Sequence, residues 1–158
     1  MFALIEDDPD GAQVGRITFV PFLPDGQCVL VEGTDGPVLP AGTVRRGEDY
    51  LLDTVLRVPL ETAGFRYQRF RSFGLDGDHL YAWIEGEAYT GHRPHATARL
   101  TACPAQEAAD RLHSAGQPVL AAAVRAAERS YRSGRRPDVL YRERAATGAC
   151  LPARRVCS

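Results

Sequence analysis

The chain has 158 residues, 44% of them hydrophobic and 25% charged, with a formal net charge of −1. That length suits one ordinary domain, and the composition excludes wholesale disorder, collagen and coiled coil; no apolar run approaches the ~20 residues of a bilayer span. All 19 basic residues are arginine, so no lysine is available as a Schiff base, a general base or the phosphate-binding residue of a P-loop.

Met1-Phe2-Ala3-Leu4-Ile5, followed by Glu6-Asp7-Asp8, lacks the basic flank and long apolar stretch of a secretion signal. A cytoplasmic protein with no membrane partner is therefore expected. The charge is uneven: residues 1–98 carry 8 Arg against 15 acids, whereas residues 99–158 carry 11 Arg against 5 acids. Cys28, Cys103, Cys150 and Cys157 form no CxxC pair and no metal-ligand spacing, and are expected to be free thiols.

Along the chain, Arg16–Val20 and Cys28–Val31 are short β-branched or apolar runs joined by Pro24-Asp25-Gly26, a hairpin pattern. Thr34-Asp35-Gly36-Pro37 is a second turn. From Asp49 to about Ala63 the pattern becomes helical, with Leu51, Leu52, Val55, Leu56 and Leu60 on one apolar face and Asp49 as N-cap. Pro59 interrupts it; a proline inside a helix costs ~3 kcal/mol, so the helix should kink or end near Val58. Gly64 supplies a stop. Phe65–Phe73 and His79–Ala88 read as strands around Asp76-Gly77-Asp78, and Thr97–Thr101 as another. Pro104 and Pro118 each open a helix, reaching His113 and Tyr131. Residues 134–158 are Arg-rich, with a helical stretch near 138–146.

The segment Gly42 to Phe65 resembles the signature of the Nudix hydrolases, G-x5-E-x7-R-E-U-x-E-E-x-G-U with U apolar. Gly42 and Glu48 match its opening, Arg57, Glu61, Gly64 and Phe65 its close, and Leu39-Pro40-Ala41-Gly42 is similar to the usual Leu-Pro-Gly-Gly entry. Eight residues rather than seven separate Glu48 from Arg57, and Val58, Pro59 and Thr62 stand at a glutamate, an apolar and a glutamate position. The resemblance, over residues 15–113, implies an α/β (α+β) fold, a Nudix-type mixed sheet sandwiched between helices; the residues beyond it read as an extra C-terminal helical extension. Residues 1–133 would form the domain and 134–158 a helical or partly disordered tail. It also implies cleavage of a nucleoside diphosphate-linked compound with Mg²⁺ or Mn²⁺ on glutamates, although only Glu61 remains at a glutamate position of the helix. Several hard oxygens must converge on such a cation.

Asp49, Asp53, Arg57 and Glu61 recur every four residues, either as a row of ion pairs on a solvated face or with Arg57 orienting Glu61 toward a ligand. Glu48 is a metal ligand or an acid complementing the helix dipole. In the strand after the turn, alternation puts His79, Tyr81, Trp83, Glu85 and Glu87 on one face and Leu80, Ala82, Ile84 and Gly86 on the other. The first face suits a planar ligand, with Tyr81 and Trp83 as stacking contacts and Glu85 and Glu87 as carboxylates; the alternative is an ordinary face cross-paired to Arg66, Arg69 or Arg71. His92, Arg93 and His95 follow in a loop. The candidate set is therefore Glu61, Arg57, His79, His92 and His95 for catalysis, Tyr81, Trp83 and Arg93 for substrate, and Glu61, Glu48, Glu85 and Glu87 for metal.

The apolar stripe of Val119, Leu120, Ala123, Val124, Ala127 and Tyr131 reads as a docking helix whose arginines face water or a second copy in a homodimer. No nucleic-acid partner is expected, since no RNA-binding aromatic signature is present. Three functions remain: a Nudix-like hydrolase with a degenerate metal site, a metal-independent His/carboxylate acid–base enzyme on a small metabolite, and a non-catalytic nucleotide- or metabolite-binding module.

Overall fold

The computed structural model describes residues 1–88 and 99–133. The β-branched and aromatic run Arg16–Phe22 forms β2, buried on both faces from Ile17 onward. Such a strand belongs at the centre of a sheet covered on both sides. β2 pairs in parallel with β7 (His79–Ala88), which in turn forms a long antiparallel hairpin with β6 (Phe65–Asp76). The short β1 (Ala3–Leu4) lies on the outer edge of β6. On the other side β2 meets β3 (Cys28–Gly33), flanked by β4 (Gly36–Val38), and the path runs β1-β6-β7-β2-β3-β4. β5 (Ala41–Thr43) pairs with the first half of β2, and β8 (Arg99–Cys103) with β3.

The hairpin expected between the first two strands is present, but β2 and β3 share a single registered pair, Phe22↔Cys28. The central strand instead spends its hydrogen bonds on β7 and β5. The strand expected at Thr97–Thr101 is seen at Arg99–Cys103. The expected helical stretch near 138–146 lies outside the described residues.

Side-chain alternation builds two cores. Val20, Phe22, Cys28, Leu30, Tyr81 and Trp83 pack with α2 (Ala105–Ser114) and α3 (Pro118–Arg132). Ile17, Phe19, Leu80, Ala82 and Ile84 pack with Val55, Val58 and Ala63 of α1 (Val55–Ala63). The chain is thus a mixed α+β sandwich, one helix against a helical hairpin with the sheet between. No helix among the described residues is long and apolar enough to cross a membrane.

Candidate functional site

Between β5 and α1 the chain makes a loop and then a π-helical turn, Tyr50–Thr54. Asp49 caps it, its Oδ1 accepting from the Leu51 N–H at 2.9 Å. The π turn holds one residue more than an α turn, and it lies within the interval between Glu48 and Arg57 that is one residue long against the Nudix pattern. A turn of this kind accommodates one extra residue without rotating the helix that follows it. The sequence predicts a kink or stop near Val58; α1 instead runs through Pro59 to Ala63, and the irregular turn lies upstream. The physical reason is local. The carbonyl that a ring at Pro59 would strike is that of Val55, the first residue of the α-helical segment, directly after the π turn. Gly64 then closes the helix in the left-handed conformation, φ 59°, donating to Leu60 O at 2.9 Å. At the other end of the loop, Gly42 lies against Val58, where a Cβ would come within 2.7 Å of a valine methyl.

This scaffold brings three of the predicted residues together. Arg57 donates from Nε to Glu48 Oε2 at 3.0 Å, from Nη2 to Glu48 Oε1 at 2.8 Å, and from Nη1 to Glu61 Oε2 at 3.2 Å. Nη2 also reaches the Thr43 carbonyl at 2.7 Å, tying β5 to the helix. Its partners hold the Arg57 guanidinium above its usual pKa, and the Arg57 hydrogen bonds hold the Glu48 carboxyl below the usual carboxylate range. Glu48 is saturated: Oε1 also accepts the Arg45 N–H at 2.7 Å and the Thr54 hydroxyl at 3.4 Å. Glu61 differs. Arg57 and Arg45 both address Oε2, while Oε1 has no partner among the described residues, and the side chain is 35% exposed. Arg57 therefore orients Glu61, and the row of ion pairs through Asp53 is not formed; Asp53 Oδ2 instead accepts the Asp49 N–H at 3.0 Å.

The remaining candidates are dispersed. Tyr81 and Trp83, expected to face a ligand, are core side chains, Trp83 under α3 and Tyr81 against Phe2, each at most 3% exposed. The Trp83 indole N–H donates to Ser130 Oγ at 3.0 Å. Alternation separated the two strand faces correctly, but a sheet covered on both sides has no open face to offer. Glu85 lies on this α3 side, accepting from the Tyr131 hydroxyl and pairing with Arg69 at 3.5 Å, while Glu87 is exposed opposite Arg66 in register. Glu85 is thus across the sheet from Glu61 and cannot share a cation with it. His79 Nε2 meets Thr18 Oγ1 at 2.7 Å, and its ring stacks on Tyr81 with centroids 4.4 Å apart. Burial, with Arg16 beside it, holds the imidazole below its usual pKa. Six residues along a strand span ~20 Å, so His79 and Glu85 are separate features rather than one acid–base pair. His92, Arg93 and His95 lie outside the described residues.

Sequence reasoning missed Arg45 and the Thr43 carbonyl. The signal for the first was present: two arginines, Arg45-Arg46, stand directly before Gly47-Glu48.

The mixed sheet between one helix and a helical pair, with a loop–helix–loop carrying Glu48, Arg57 and Glu61, defines the Nudix-type fold. Solved structures with this fold include the pyrophosphohydrolase BsRppH of Bacillus subtilis in a mutant form, with a TM-score of 0.51 and 16% identity over 65% of this chain and 70% of that one. They also include MutT, studied from Aliivibrio salmonicida and Vibrio cholerae, with a TM-score of 0.51 and 19% identity over 71% of this chain and 97% of that one. No protein-family model and no curated protein sequence matches the chain.

The resemblance to the Nudix signature implies a divalent cation, and the donor set among the described residues does not fit one. Among the described residues no three His, Cys, Asp or Glu side chains converge as a metal-holding group. Both oxygens of Glu48 accept from Arg57, so within the Glu48–Arg57–Glu61 cluster only Glu61 Oε1 has no partner, where a cation of this kind needs several oxygens.

Proposed function

We propose that the protein hydrolyses the diphosphate bridge of a nucleoside diphosphate-linked small molecule at the loop–helix–loop around Glu61. The observation that supports this reading is the unpartnered Oε1 of Glu61, on a carboxylate held in place by Arg57 in the segment that resembles the Nudix signature. In this reading Glu61 Oε1 accepts the proton of a water that attacks phosphorus, and the bridging P–O bond breaks toward the leaving phosphate. Arg57 aims the carboxylate and does not itself touch the substrate. The test is mononucleotide release, followed by anion-exchange chromatography, from a panel of nucleotide sugars and dinucleoside polyphosphates with Mg²⁺, with Mn²⁺ and with chelator. Cleavage that falls at least about 100-fold in Glu61→Gln, in line with the usual weight of a general base, supports the reading. No cleavage of any compound, or full activity in Glu61→Gln, overturns it.

The saturation of Glu48 by Arg57 favours a second reading, a module that binds such compounds without cleaving them. Binding by calorimetry with no product after prolonged incubation would identify it.

A further inference from the structure

Arg45 is attached at one end and loose at the other. Its backbone N–H donates to Glu48 Oε1 at 2.7 Å, which fixes the residue at the edge of the site. Its guanidinium is 60% exposed and reaches Glu61 Oε2 only at 3.4 Å. Glu61 does not depend on that contact, because Arg57, only 18% exposed and tied to Glu48 and the Thr43 carbonyl, holds the same oxygen at 3.2 Å. An exposed pair of this kind contributes little, whereas a guanidinium on a phosphate makes short, charge-assisted bidentate bonds. Exchanging one partner for the other is therefore favourable.

We infer that Arg45 grips the diphosphate of the substrate, moving from Glu61 Oε2 onto phosphate oxygens while Arg57 stays behind as the fixed support of Glu61. The inference rests on the hydrolase reading above and names the residue that would confer its preference for diphosphates. The local field cannot do this by itself. Glu48, Asp49, Asp53 and Glu61 surround the loop against Arg45, Arg46 and Arg57, so the segment is not net basic. Recognition of an anion here requires a specific contact, which separates Arg45 from its neighbour Arg46.

The experiment titrates inorganic pyrophosphate, with and without Mg²⁺, into the wild-type chain and the variants Arg45→Gln, Arg45→Lys and Arg46→Gln by calorimetry, and measures KM and kcat on any compound cleaved. Arg45→Gln should weaken binding at least about tenfold, equivalent to ~1.4 kcal/mol, and raise KM more than it lowers kcat. Arg45→Lys should recover part of this, since an ammonium keeps the charge and loses the fork. Arg46→Gln, which removes the same charge one residue away, should change binding less than about twofold, as expected for a screened exposed charge. Equal effects of Arg45→Gln and Arg46→Gln, or none from either, overturn the inference. If a compound is cleaved in a Glu61-dependent way while Arg45→Gln is unchanged, the inference alone fails. A wild-type chain that neither cleaves the panel nor binds pyrophosphate removes the hydrolase reading and the inference with it.

Discussion

Arg57 meets both carboxylate oxygens of Glu48, at 3.0 and 2.8 Å, across nine positions of sequence that include a π-helical turn. Two parallel N–H···O bonds fix direction as well as distance. The same guanidinium holds Glu61 one helical turn on and the Thr43 carbonyl on β5, so one side chain joins strand, loop and helix.

Removing that junction leaves two carboxylates facing each other with their common counter-charge gone. Arg57→Leu should cost about 2–3 kcal/mol, from charged hydrogen bonds lost in a partly buried setting. Arg57→Lys should recover less than half, because one ammonium cannot serve Glu48 bidentately and also reach Glu61 and the carbonyl. Urea denaturation of the two variants checks both; a loss below about 0.5 kcal/mol in Arg57→Leu, the usual size for an unimportant surface change, would show the cluster to be incidental.

The π turn makes a prediction about chain length. Deleting Leu52 should turn Tyr50–Thr54 into an ordinary α turn and leave the helix beyond in place, because the surplus residue sits there. Deleting Leu60 from the regular part of α1 instead rotates Glu61 by ~100° against Arg57, at 3.6 residues per turn. Thermal melts should show a cooperative transition for the first deletion, shifted less than half as far as for the second. Equal shifts would mean that the turn has no such role.

His79 predicts how stability responds to acid. Burial, with Arg16 adjacent, lowers its folded pKa below the usual value, so on acidification the unfolded chain takes up the proton first. The contribution of His79 is complete above the ordinary histidine pKa of about 6.5 and declines as the pH falls below it toward the depressed folded value. The melting midpoint should therefore drop between pH 7.5 and pH 5.5, and drop less in His79→Gln. A variant with the same pH dependence as the wild type would assign the effect to other groups.

Tyr131 secures α3 to the sheet. Its hydroxyl donates to Glu85, its ring stacks on Phe22 at 4.6 Å and meets the Trp83 edge at 5.1 Å, and burial together with Glu85 pushes the phenol up to about 12. Tyr131→Phe keeps the packing and loses a hydrogen bond to a carboxylate, so it should cost about 1.5–2 kcal/mol in urea at neutral pH. With a raised folded pKa, the wild-type advantage should be present below pH 10 and fade as the pH rises from there toward 12. A variant as stable as the wild type at pH 7.5 would contradict this.

The fold was legible in the chain because its signals are local and periodic. Alternation in residues 79–86 assigned Tyr81 and Trp83 to one face and Leu80, Ala82 and Ile84 to the other, and that division is the one between the two cores. What alternation cannot report is what lies over each face. The covering of Trp83 by Ser130 and Tyr131 depends on contacts some 47 positions apart, so a buried aromatic was read as a ligand contact. The association of Glu48, Arg57 and Glu61 was legible only through the resemblance, since helical spacing alone links Arg57 to Asp53 as readily as to Glu61. Arg45 went unread because its role depends on which oxygen of Glu61 is left over, a matter of ångströms rather than of pattern.

The wide turn ahead of α1 also bears on how such chains are compared. A helix that can take in one more residue without rotating its remaining turns lets two proteins keep the same trio of side chains while their letters slip out of step. Matching position by position then understates how alike two such segments are in space.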